Sequence, residues 1–345
     1  MSQLDCSNRQ GQPRVIITRT PYRVSFFGGG TDYPAWYLEH GGAVLATTID
    51  KYCYITCRRL PPFFEHKHRI VYSVIESVSN NEEIQHPAVR AALQWAKVTD
   101  GLEIHHDGDL PARSGLGSSS SFTVGLVHAL EALRGQMTNK SQLAKVAIHI
   151  EQDLLRENVG SQDQILAAYG GFNYIEFRAD GAFDVAPVVV PRERKAELAA
   201  HLILCFTGFS RFASEVAKSQ LDNMIAKQQH IKRIQQMVDE GLDILVNSSV
   251  PIDAFGELLH EAWQNKRSLS NKVTTPEIDQ IYEAARNAGA IGGKLLGAGG
   301  GGFMLLFAKP EYHAAIRERL KALIQVPFEF EESGSRVVLY QPNGL

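Results

Sequence analysis

The sequence predicts an α+β fold built from two packed lobes. Its 345 residues exceed the usual size of a single domain. Segments with strand character and segments with helix character are grouped along the chain rather than strictly alternating, which is typical of α+β architecture. We expect a mobile tail over residues 1–14, an N-terminal lobe over residues 15–195 and a C-terminal lobe over residues 196–345.

The composition argues against several classes of function. Apolar residues make up 44% of the chain and charged residues 21%, as in an ordinary soluble globular protein. The net charge of −3 and the pI of about 6.5 argue against nucleic-acid binding and membrane-surface binding, since such proteins are usually basic. No segment resembles a signal peptide or a membrane span, so we expect a cytoplasmic protein. The spacing of the four cysteines favours buried reduced thiols over a zinc site: Cys6, Cys53, Cys57 and Cys205.

The first half of the chain is predicted to contain most of the strands. Runs of β-branched and aromatic residues indicate strands, and apolar residues at helical spacing indicate helices. A helix over residues 34–40 has Pro34 at its first position and Gly41 just past its end. The predicted strands are 15–17, 19–27, 43–57 (one strand or two), 70–78, 102–106 and 173–177. The other predicted helices are 86–96, 122–133 and 141–157.

The second half begins near Pro191 and is predicted to be mainly helical. Strands are expected at 201–206 and 303–307. Helices are expected at 214–247, 252–270 and 276–288. The glycine-rich turn, which we define as residues 297–302, leads into the last predicted strand.

The serine-rich loop, residues 111–121, lies between a predicted strand and a predicted helix. Gly115 and Gly117 allow backbone N–H groups to approach an anion closely. The N-terminus of the following helix adds free N–H donors and a favourable dipole. A flexible linker whose serines cap the helix is the alternative. The flanking strand and apolar helix favour phosphate binding, although the Gly-Lys-[Ser/Thr] ending of a Walker loop is missing.

Two carboxylates stand in unusual contexts. Glu151 falls within the apolar face of the helix predicted over residues 141–157, where a lone carboxylate is costly unless it is paired or bound to a metal. It is therefore a candidate Mg²⁺ ligand, or else a residue at the edge of the stripe that reaches solvent or an arginine. Asp163 follows Gly160 in a loop that enters a helix. It either faces a cleft or complements the helix dipole.

The segment 23–34 combines a cation, three consecutive glycines and a carboxylate. It contains Arg23, Gly28-Gly29-Gly30 and Thr31-Asp32-Tyr33-Pro34. Asp32 is placed either to cap the helix that starts at Pro34 or to accept hydrogen bonds from sugar hydroxyls. The two roles are compatible.

With these segments identified, the sequence resembles the GHMP kinase superfamily. Residues 19–34 look like its first motif, residues 111–121 are similar to its P-x-x-x-G-L-G-S-S motif, and residues 294–302 resemble its glycine-rich third motif. The three matches occur in the family order and span nearly the whole chain. The resemblance implies an ATP-binding N-terminal lobe like domain 2 of ribosomal protein S5, and a ferredoxin-like C-terminal lobe.

The resemblance also implies roles for individual residues. Asp163 would be the catalytic carboxylate with Arg23 beside it, and Ser118 and Glu151 would bind Mg²⁺ with ATP as co-substrate. The residues implied at the ATP phosphates are Pro111, Ser114, Gly115, Leu116, Gly117, Ser118, Ser119, Ser120, Gly299 and Gly300. Those implied at a sugar are Gly29, Gly30, Thr31, Asp32 and Tyr33.

The first motif departs from that of galactokinases, which carry Gly-Glu-His where this chain has Gly28-Gly29-Gly30. Residues 26–54 instead look similar to the D-glycero-D-manno-heptose 7-phosphate kinases and to the kinase part of bacterial fucokinases. The former would imply phosphorylation at C1, giving a 1,7-bisphosphate in GDP-heptose biosynthesis. A kinase of a free sugar, or a catalytically silent sugar and ATP sensor, stays open.

The expected partners are ATP and a sugar or sugar phosphate, without nucleic acid or membrane, for a monomer or homodimer. A sugar phosphate needs a cationic partner. The candidates from the sequence are Arg58, Arg59, Lys266, Arg267 and Lys272.

Overall fold

A computed structural model describes residues 15–60, 63–208 and 213–341, so the tail predicted over residues 1–14 lies outside the described residues. Two sheets organise the described chain, one of nine strands and one of four. Helices and strands are mixed in the way the sequence predicts, which confirms the α+β class.

The larger sheet is built on two long antiparallel strands, β1 (Val15–Phe27) and β2 (Gly42–Arg59). Its other strands are β3 (His68–Val71), β4 (Ile75–Val78), β5 (Leu102–Gly108), β6 (Phe172–Phe177), β7 (Phe183–Pro187), β12 (Phe330–Glu331) and β13 (Arg336–Gln341). The main strand order is β13-β1-β2-β5-β3-β4. Strands β6 and β12 also pair with β2, and β7 pairs with β6.

The smaller sheet is antiparallel, with the order β11-β8-β10-β9. Its strands are β8 (Leu202–Gly208), β9 (Ala290–Leu295), β10 (Gly302–Ala308) and β11 (Ile324–Gln325). The helix that comes closest to it, α9 (Asp253–Arg267), buries Phe255 and Trp263 and packs on β9 and β10.

The remaining helices are mostly short. They are α1 (Pro34–His40), α2 (Pro87–Trp95), α3 (Ser118–Leu133), α4 (Lys140–Ile148), α5 (Gln162–Tyr169), α6 (Arg192–Ala200), α7 (Ala213–Asn223), α8 (Gln228–Val246), α10 (Pro276–Asn287) and α11 (His313–Arg319). Single 3₁₀ turns cover Asn81–Glu83 and Pro310–Tyr312, and a π-helical segment covers His149–Leu154.

Several predicted elements are corrected by the structure. Residues 15–27 form one strand rather than two, because the pairing of β1 with β2 continues without a break through Thr18, which lies opposite Ile55. Residues 70–78 form the hairpin β3–β4 rather than one strand. The helix predicted over 141–157 is α4 followed by the π-helical segment. The long helix predicted over 214–247 is divided into α7 and α8.

The chain's last strands return to the first sheet. Strand β13 pairs with β1, Gln341 opposite Val15, and β12 pairs with β2, Phe330 opposite Ile49. The division into lobes at residue 195 stays a prediction, and the end of the chain belongs to the larger sheet by its hydrogen bonds. Pairing over such a sequence separation leaves no local signature, so the sequence did not indicate it.

An aromatic cluster joins the two sheets close to the end of β1. The ring centroids of Phe26 and Phe27 lie 5.4 and 5.0 Å from that of Phe255, which lies 6.2 Å from that of Phe307. All four side chains are buried, so β1 is held against α9 and β10 by a dry contact. This contact places the residues just before Phe26 at the junction of the two sheets.

The structure also bears on two of the exclusions drawn from composition. Cys53, Cys57 and Cys205 are buried free thiols, as predicted, whereas Cys6 lies outside the described residues. Within residues 15–60, 63–208 and 213–341, no helix has the length and apolar character needed to cross a bilayer.

Candidate active site

The centre of the site is a bidentate ion pair between Arg23 on β1 and Asp163 in the first turn of α5. Arg23 Nε donates to Asp163 Oδ1 and Nη2 donates to Oδ2, each at 2.7 Å. The guanidinium is buried, while the carboxylate keeps 24% of its side-chain surface exposed. A planar guanidinium facing a carboxylate in this way fixes the orientation of both groups. Asp163 therefore presents a held but accessible carboxylate.

The same arginine binds the serine-rich loop. Its Nη1 donates to the Gly115 carbonyl oxygen at 2.6 Å, and its backbone N–H donates to the Leu116 carbonyl oxygen at 3.0 Å. Gly117 completes the contact: a Cβ there would lie 3.1 Å from Arg23 Cγ and 3.3 Å from Asp163 Oδ2. Its φ of +73° also favours glycine. The loop and the ion pair, both predicted from sequence, are thus brought into direct contact.

Helix α3 begins at Ser118, four residues earlier than predicted, so its N-terminus lies directly beside the ion pair. Ser118 is partly buried, and its Oγ accepts a hydrogen bond from the Arg113 N–H at 3.1 Å. Ser119 is exposed, whereas Ser114 is buried and donates to the Pro111 carbonyl oxygen at 2.7 Å. First-turn N–H groups and exposed hydroxyls at this end of a 16-residue helix suit an anion.

The glycine-rich turn packs against this loop, backbone to backbone. A Cβ on Gly297 would lie 2.5 Å from Gly115 Cα, and a Cβ on Gly115 would lie 2.5 Å from the Leu296 carbonyl oxygen. The Phe303 N–H donates to the Ser114 carbonyl oxygen at 3.1 Å. Gly299 is buried and Gly300 partly buried in the same turn. The second and third predicted motifs therefore form one continuous surface, and only glycine permits so close an approach at Gly115 and Gly297.

Glu151 lies in the π-helical segment and is 1% exposed. Its Oε2 accepts hydrogen bonds from Gln164 Nε2 and from Ser120 Oγ, the latter at 2.8 Å. Its Oε1 is buried and has no hydrogen-bond partner within the described chain. Burial raises the pKa of Glu151 to about 7, although hydrogen bonds from Thr123, Ser120 and Gln164 oppose the shift. Ser120 therefore contacts this carboxylate directly, and the assignment of Ser118 and Glu151 as Mg²⁺ ligands stays a prediction.

Asp32 is buried and supports the turn that carries Asp163. Its Oδ1 accepts from the Gly30 N–H at 2.9 Å, and its main-chain oxygen accepts from the Ser161 N–H at 2.9 Å. A Cβ on Gly160 would lie 1.9 Å from Asp32 Oδ2, so the turn needs glycine there. Burial raises the pKa of Asp32, and the charge of Asp163 adds to the shift. Helix α1 is capped at Tyr33 without a side-chain bond, so the predicted capping role of Asp32 is wrong.

The other residues predicted at a sugar divide into two groups. Thr31 is buried, and its hydroxyl lies 2.8 Å from the Gly28 carbonyl oxygen and 2.9 Å from that of Ala43, which makes it structural. Gly29 borders free space, since a Cβ there would approach Gln162 Nε2 to 3.6 Å and Ser25 Oγ to 3.8 Å, both ordinary contacts. Its missing side chain therefore widens the site rather than relieving a clash.

Sequence reasoning missed Ser25 and Gln162, which lie beside that space. Both side chains are buried, and in the described chain neither Ser25 Oγ nor Gln162 Oε1 has a hydrogen-bond partner. Buried polar atoms are rarely left unpaired. Ser25 is two residues from Arg23 on the same face of β1, and Gln162 precedes Asp163. Their positions next to the predicted catalytic residues were the available signal.

Two buried lysines surround the ion pair from the side of the smaller sheet. Lys294 Nζ donates to the Phe26 carbonyl oxygen at 2.8 Å, and Lys266 Nζ donates to that of Leu295 at 2.7 Å. Burial, reinforced by the charge of Arg23, lowers the pKa of Lys294 to about 7. Burial, followed by the charges of Lys294 and Arg23, lowers the pKa of Lys266 well below its ordinary value. Burial therefore weakens the positive charge that these two lysines supply beside Arg23.

Two of the five basic residues suggested for a sugar phosphate lie far from this site. Arg23 lies opposite Thr48 on β2, and Arg58 and Arg59 lie ten and eleven residues further along that strand, about 35 Å away at roughly 3.3 Å per residue. Lys266 is buried and bound to backbone carbonyls. The other four form ion pairs with acidic neighbours: Arg58 with Glu103, Arg59 with Asp100, Arg267 with Asp279 and Lys272 with Glu215.

The chain is similar to known proteins of the GHMP kinase family. A family model for the N-terminal domain of GHMP kinases matches residues 81–171, and the model for their C-terminal domain matches residues 251–324. A D-glycero-alpha-D-manno-heptose 7-phosphate kinase from Campylobacter jejuni is 29% identical over 308 residues, 86% of this chain and 90% of that protein.

Two further relatives are similar over most of the chain. A bifunctional fucokinase/GDP-fucose pyrophosphorylase from Arabidopsis thaliana is 29% identical over 352 residues, 91% of this chain but 32% of that protein. The crystal structure of a D-glycero-D-manno-heptose 1-phosphate kinase from Bacteroides thetaiotaomicron superposes with a TM-score of 0.75 at 23% identity, covering 93% of this chain and 98% of the other. The latter shows the shared fold.

Proposed function

The chain belongs to the GHMP kinase family and has its fold, and we propose that it transfers the γ-phosphoryl group of ATP to the C1 hydroxyl of D-glycero-D-manno-heptose 7-phosphate. The product would be the 1,7-bisphosphate used in GDP-heptose biosynthesis, and the reaction would take place in the cytoplasm. The relatives with which the chain aligns over most of its length include sugar kinases, among them the heptose 7-phosphate kinase of Campylobacter jejuni.

One observation carries the proposal: the Arg23–Asp163 pair lies in contact with Gly117, at the N-terminus of α3. Phosphoryl transfer needs alignment and charge neutralisation more than covalent participation by the protein. The serine-rich loop and the glycine-rich turn would bind the nucleotide phosphates. The γ-phosphorus would then lie near the exposed side of Asp163, which faces the acceptor sugar.

Each chemical role follows from the contacts. Asp163 would orient the C1 hydroxyl and accept its proton as the oxygen attacks the γ-phosphorus and ADP leaves. Arg23 keeps Asp163 fixed, because it donates to both carboxylate oxygens. The charge of Arg23 would also stabilise negative charge on the transferred group. Asp32, Ser25 and Gln162 would bind sugar hydroxyls.

The residues present fit a Mg²⁺ ion bound mainly through the nucleotide. Among the described residues, no group of three or more histidine, cysteine and acidic side chains could hold a metal. Mg²⁺ commonly takes one or two protein oxygens and completes its shell with phosphates and water. Glu151 Oε1, buried and unpaired, is such an oxygen, and Ser118 would supply the second. The ion would neutralise charge on the β- and γ-phosphates.

Replacing Glu151 with glutamine should flatten the pH dependence of stability in the metal-free protein. Burial raises the pKa of Glu151 from 4.5 to about 7. In the wild type, the protonated side chain therefore contributes its full stabilisation below pH 4.5, and this stabilisation is lost as the pH rises through 7. The shift corresponds to about 3 kcal/mol of unfolding free energy. Urea unfolding with a chelator at pH 5 and pH 8 measures it.

Mg²⁺ should also stabilise the wild type in the presence of ADP more than it stabilises Glu151→Gln. Glu131→Gln is the matched control, because Glu131 is buried on α3 but paired with Arg134. Two results together would contradict the raised pKa of Glu151 and its role as a Mg²⁺ ligand. In Glu151→Gln, the unfolding free energy would depend on pH as it does in the wild type, and turnover would require the same Mg²⁺ concentration.

A kinase of a free sugar is the second candidate, and a specific observation favours it. Of the five basic residues suggested by the sequence, Arg58 and Arg59 lie far along β2 and Lys266 is bound to backbone carbonyls, and the chain resembles a fucokinase over 91% of its length. Gly29 argues against galactose as the substrate, because galactokinases carry a glutamate at this position. The widened space beside Ser25 and Gln162 suits a sugar with a different pattern of hydroxyls.

A coupled ADP-release assay over a panel of sugars tests the substrate. We expect heptose 7-phosphate to exceed galactose, L-fucose and mannose in kcat/KM by at least ~10²-fold, since a bound remote phosphate contributes several kcal/mol that can also be used at the reacting end. Unphosphorylated heptose is the matched control and should lose kcat as well as affinity. If a free sugar proves the better substrate at equal ATP concentration, the assignment to the heptose 7-phosphate kinases is wrong, although the protein would still be a sugar kinase.

A further inference from the structure

The glycine-rich turn is held by its carbonyl groups. Lys266 Nζ, on α9, donates to the Leu295 carbonyl oxygen at 2.7 Å and to that of Gly297 at 2.5 Å. Gln220 Nε2, on α7, donates to the Ala298 carbonyl oxygen at 2.5 Å. Both side chains are buried, at 9% and 8% exposure. Two helices therefore reach the same short turn and engage acceptors rather than donors.

Fixing these carbonyls fixes the amides that follow them. A peptide unit is planar and trans, so the N–H of each residue points opposite to the C=O of the residue before it. With the Gly297 carbonyl directed at Lys266, the N–H of Ala298 points away from Lys266. With the Ala298 carbonyl directed at Gln220, the N–H of Gly299 points away from Gln220. Two successive N–H groups that face away from the side chains holding the turn can together bind an anion.

The anion implied by this arrangement is the nucleotide phosphate. Gly297 touches Gly115 of the serine-rich loop backbone to backbone, and Gly115 is bound by the Arg23 guanidinium that holds Asp163. The turn is thus connected to the ion pair through a short series of direct contacts. A displacement of the Gly297 carbonyl would move Gly115 as well as the amides of the turn.

We propose that Lys266 and Gln220 are positioning residues that orient the amides of Ala298 and Gly299 towards the phosphates of the bound nucleotide. The inference rests on the proposed function, since it assumes that ATP binds beside Gly115. Neither side chain needs to touch the nucleotide. Their role goes beyond the glycines of the turn, which allow the conformation but do not select it.

The chemistry of Lys266 argues against a purely structural role. Burying an amine is costly, as the lowered pKa of Lys266 reflects, and its two hydrogen bonds to carbonyl oxygens replace only part of its hydration. A methionine of similar length would fill the same volume without that cost. A lysine is therefore an expensive way to fill this space, whereas its two hydrogen bonds direct the turn in a way that an apolar side chain cannot.

The test measures ADP binding by calorimetry, with Mg²⁺ present, so that it does not depend on the identity of the sugar. Lys266→Met and Gln220→Met should each raise the Kd for ADP about tenfold or more, while the melting temperature stays within a few degrees of the wild type. Because both residues fix neighbouring peptide units, their effects should not be independent. The double variant should raise the Kd for ADP by less than the product of the two single increases.

Lys309→Met is the matched control. Lys309 forms an exposed ion pair with Asp253 at the other end of α9, 2.9 Å apart, and its loss should leave the Kd unchanged. A Kd within about twofold of the wild type in both test variants would overturn the inference. If Lys266→Met fails to fold, Gln220→Met alone decides, by the same criterion. A wild-type protein that binds no ADP would instead overturn the proposed function.

Discussion

Replacing Asp163 with asparagine should lower kcat by ~10²–10⁴-fold while ADP binding stays close to the wild type. Asparagine keeps the shape of the side chain but removes the charge and one of the two oxygens that accept from Arg23. Its NH₂ group would face a guanidinium N–H, two donors opposed, so the pair would also lose its orientation. Asp163 is not among the groups proposed to bind the nucleotide phosphates. Its replacement should therefore slow the chemical step without weakening ADP binding.

The measurement is steady-state turnover of the best sugar of the panel, with ADP affinity by calorimetry. Asp184→Asn is the matched control, since Asp184 forms a 2.7 Å pair with Arg178 on the exposed β6–β7 hairpin. We expect near-normal kcat in the control. Near-normal kcat in Asp163→Asn as well would reduce Asp163 to a residue that complements the dipole of α5.

Replacing Arg23 with lysine should lower kcat by about 10²-fold or more, although the positive charge is kept. Arg23 makes three side-chain hydrogen bonds, two to Asp163 and one to the Gly115 carbonyl oxygen. A lysine ammonium cannot reach all three acceptors in the geometry of a planar guanidinium. Asp163 would lose its fixed orientation and the serine-rich loop would lose its anchor, so the variant should also bind ADP more weakly.

Arg194 provides a control of the same kind outside the site. It is also buried, and it binds Glu197 and the carbonyl oxygens of Ile244 and Val250. Arg194→Lys should lower the melting temperature without changing kcat per folded molecule, whereas Arg23→Lys should change kcat even at temperatures where it is fully folded. Equal effects of the two variants on stability alone would show that Arg23 is only a buried structural arginine.

Local patterns were sufficient for much of the fold and for the principal site residues. The helix from Pro34 to His40 has its first-position proline and its terminal glycine where predicted, and the ends of β5, α10 and β10 differ from prediction by at most two residues. These elements carry their signal in neighbouring residues. The short strands β11 and β12 and the return of β13 to β1 escaped prediction, because their pairing partners lie far away in sequence. Strand β7 was also missed, although it pairs with the neighbouring β6 in a hairpin.

The sequence by itself predicted the family, the two segments proposed to bind phosphate and the candidacy of Arg23, Glu151 and Asp163, because each rests on residue types at fixed short spacings. Only the tertiary structure decided how they combine. It joined Arg23 to Asp163 across 140 positions, set Ser120 against Glu151, and buried Lys266 behind the glycine-rich turn. Such contacts depend on which strand faces and helix ends the packing brings together, and that information is spread over the whole core rather than any one segment.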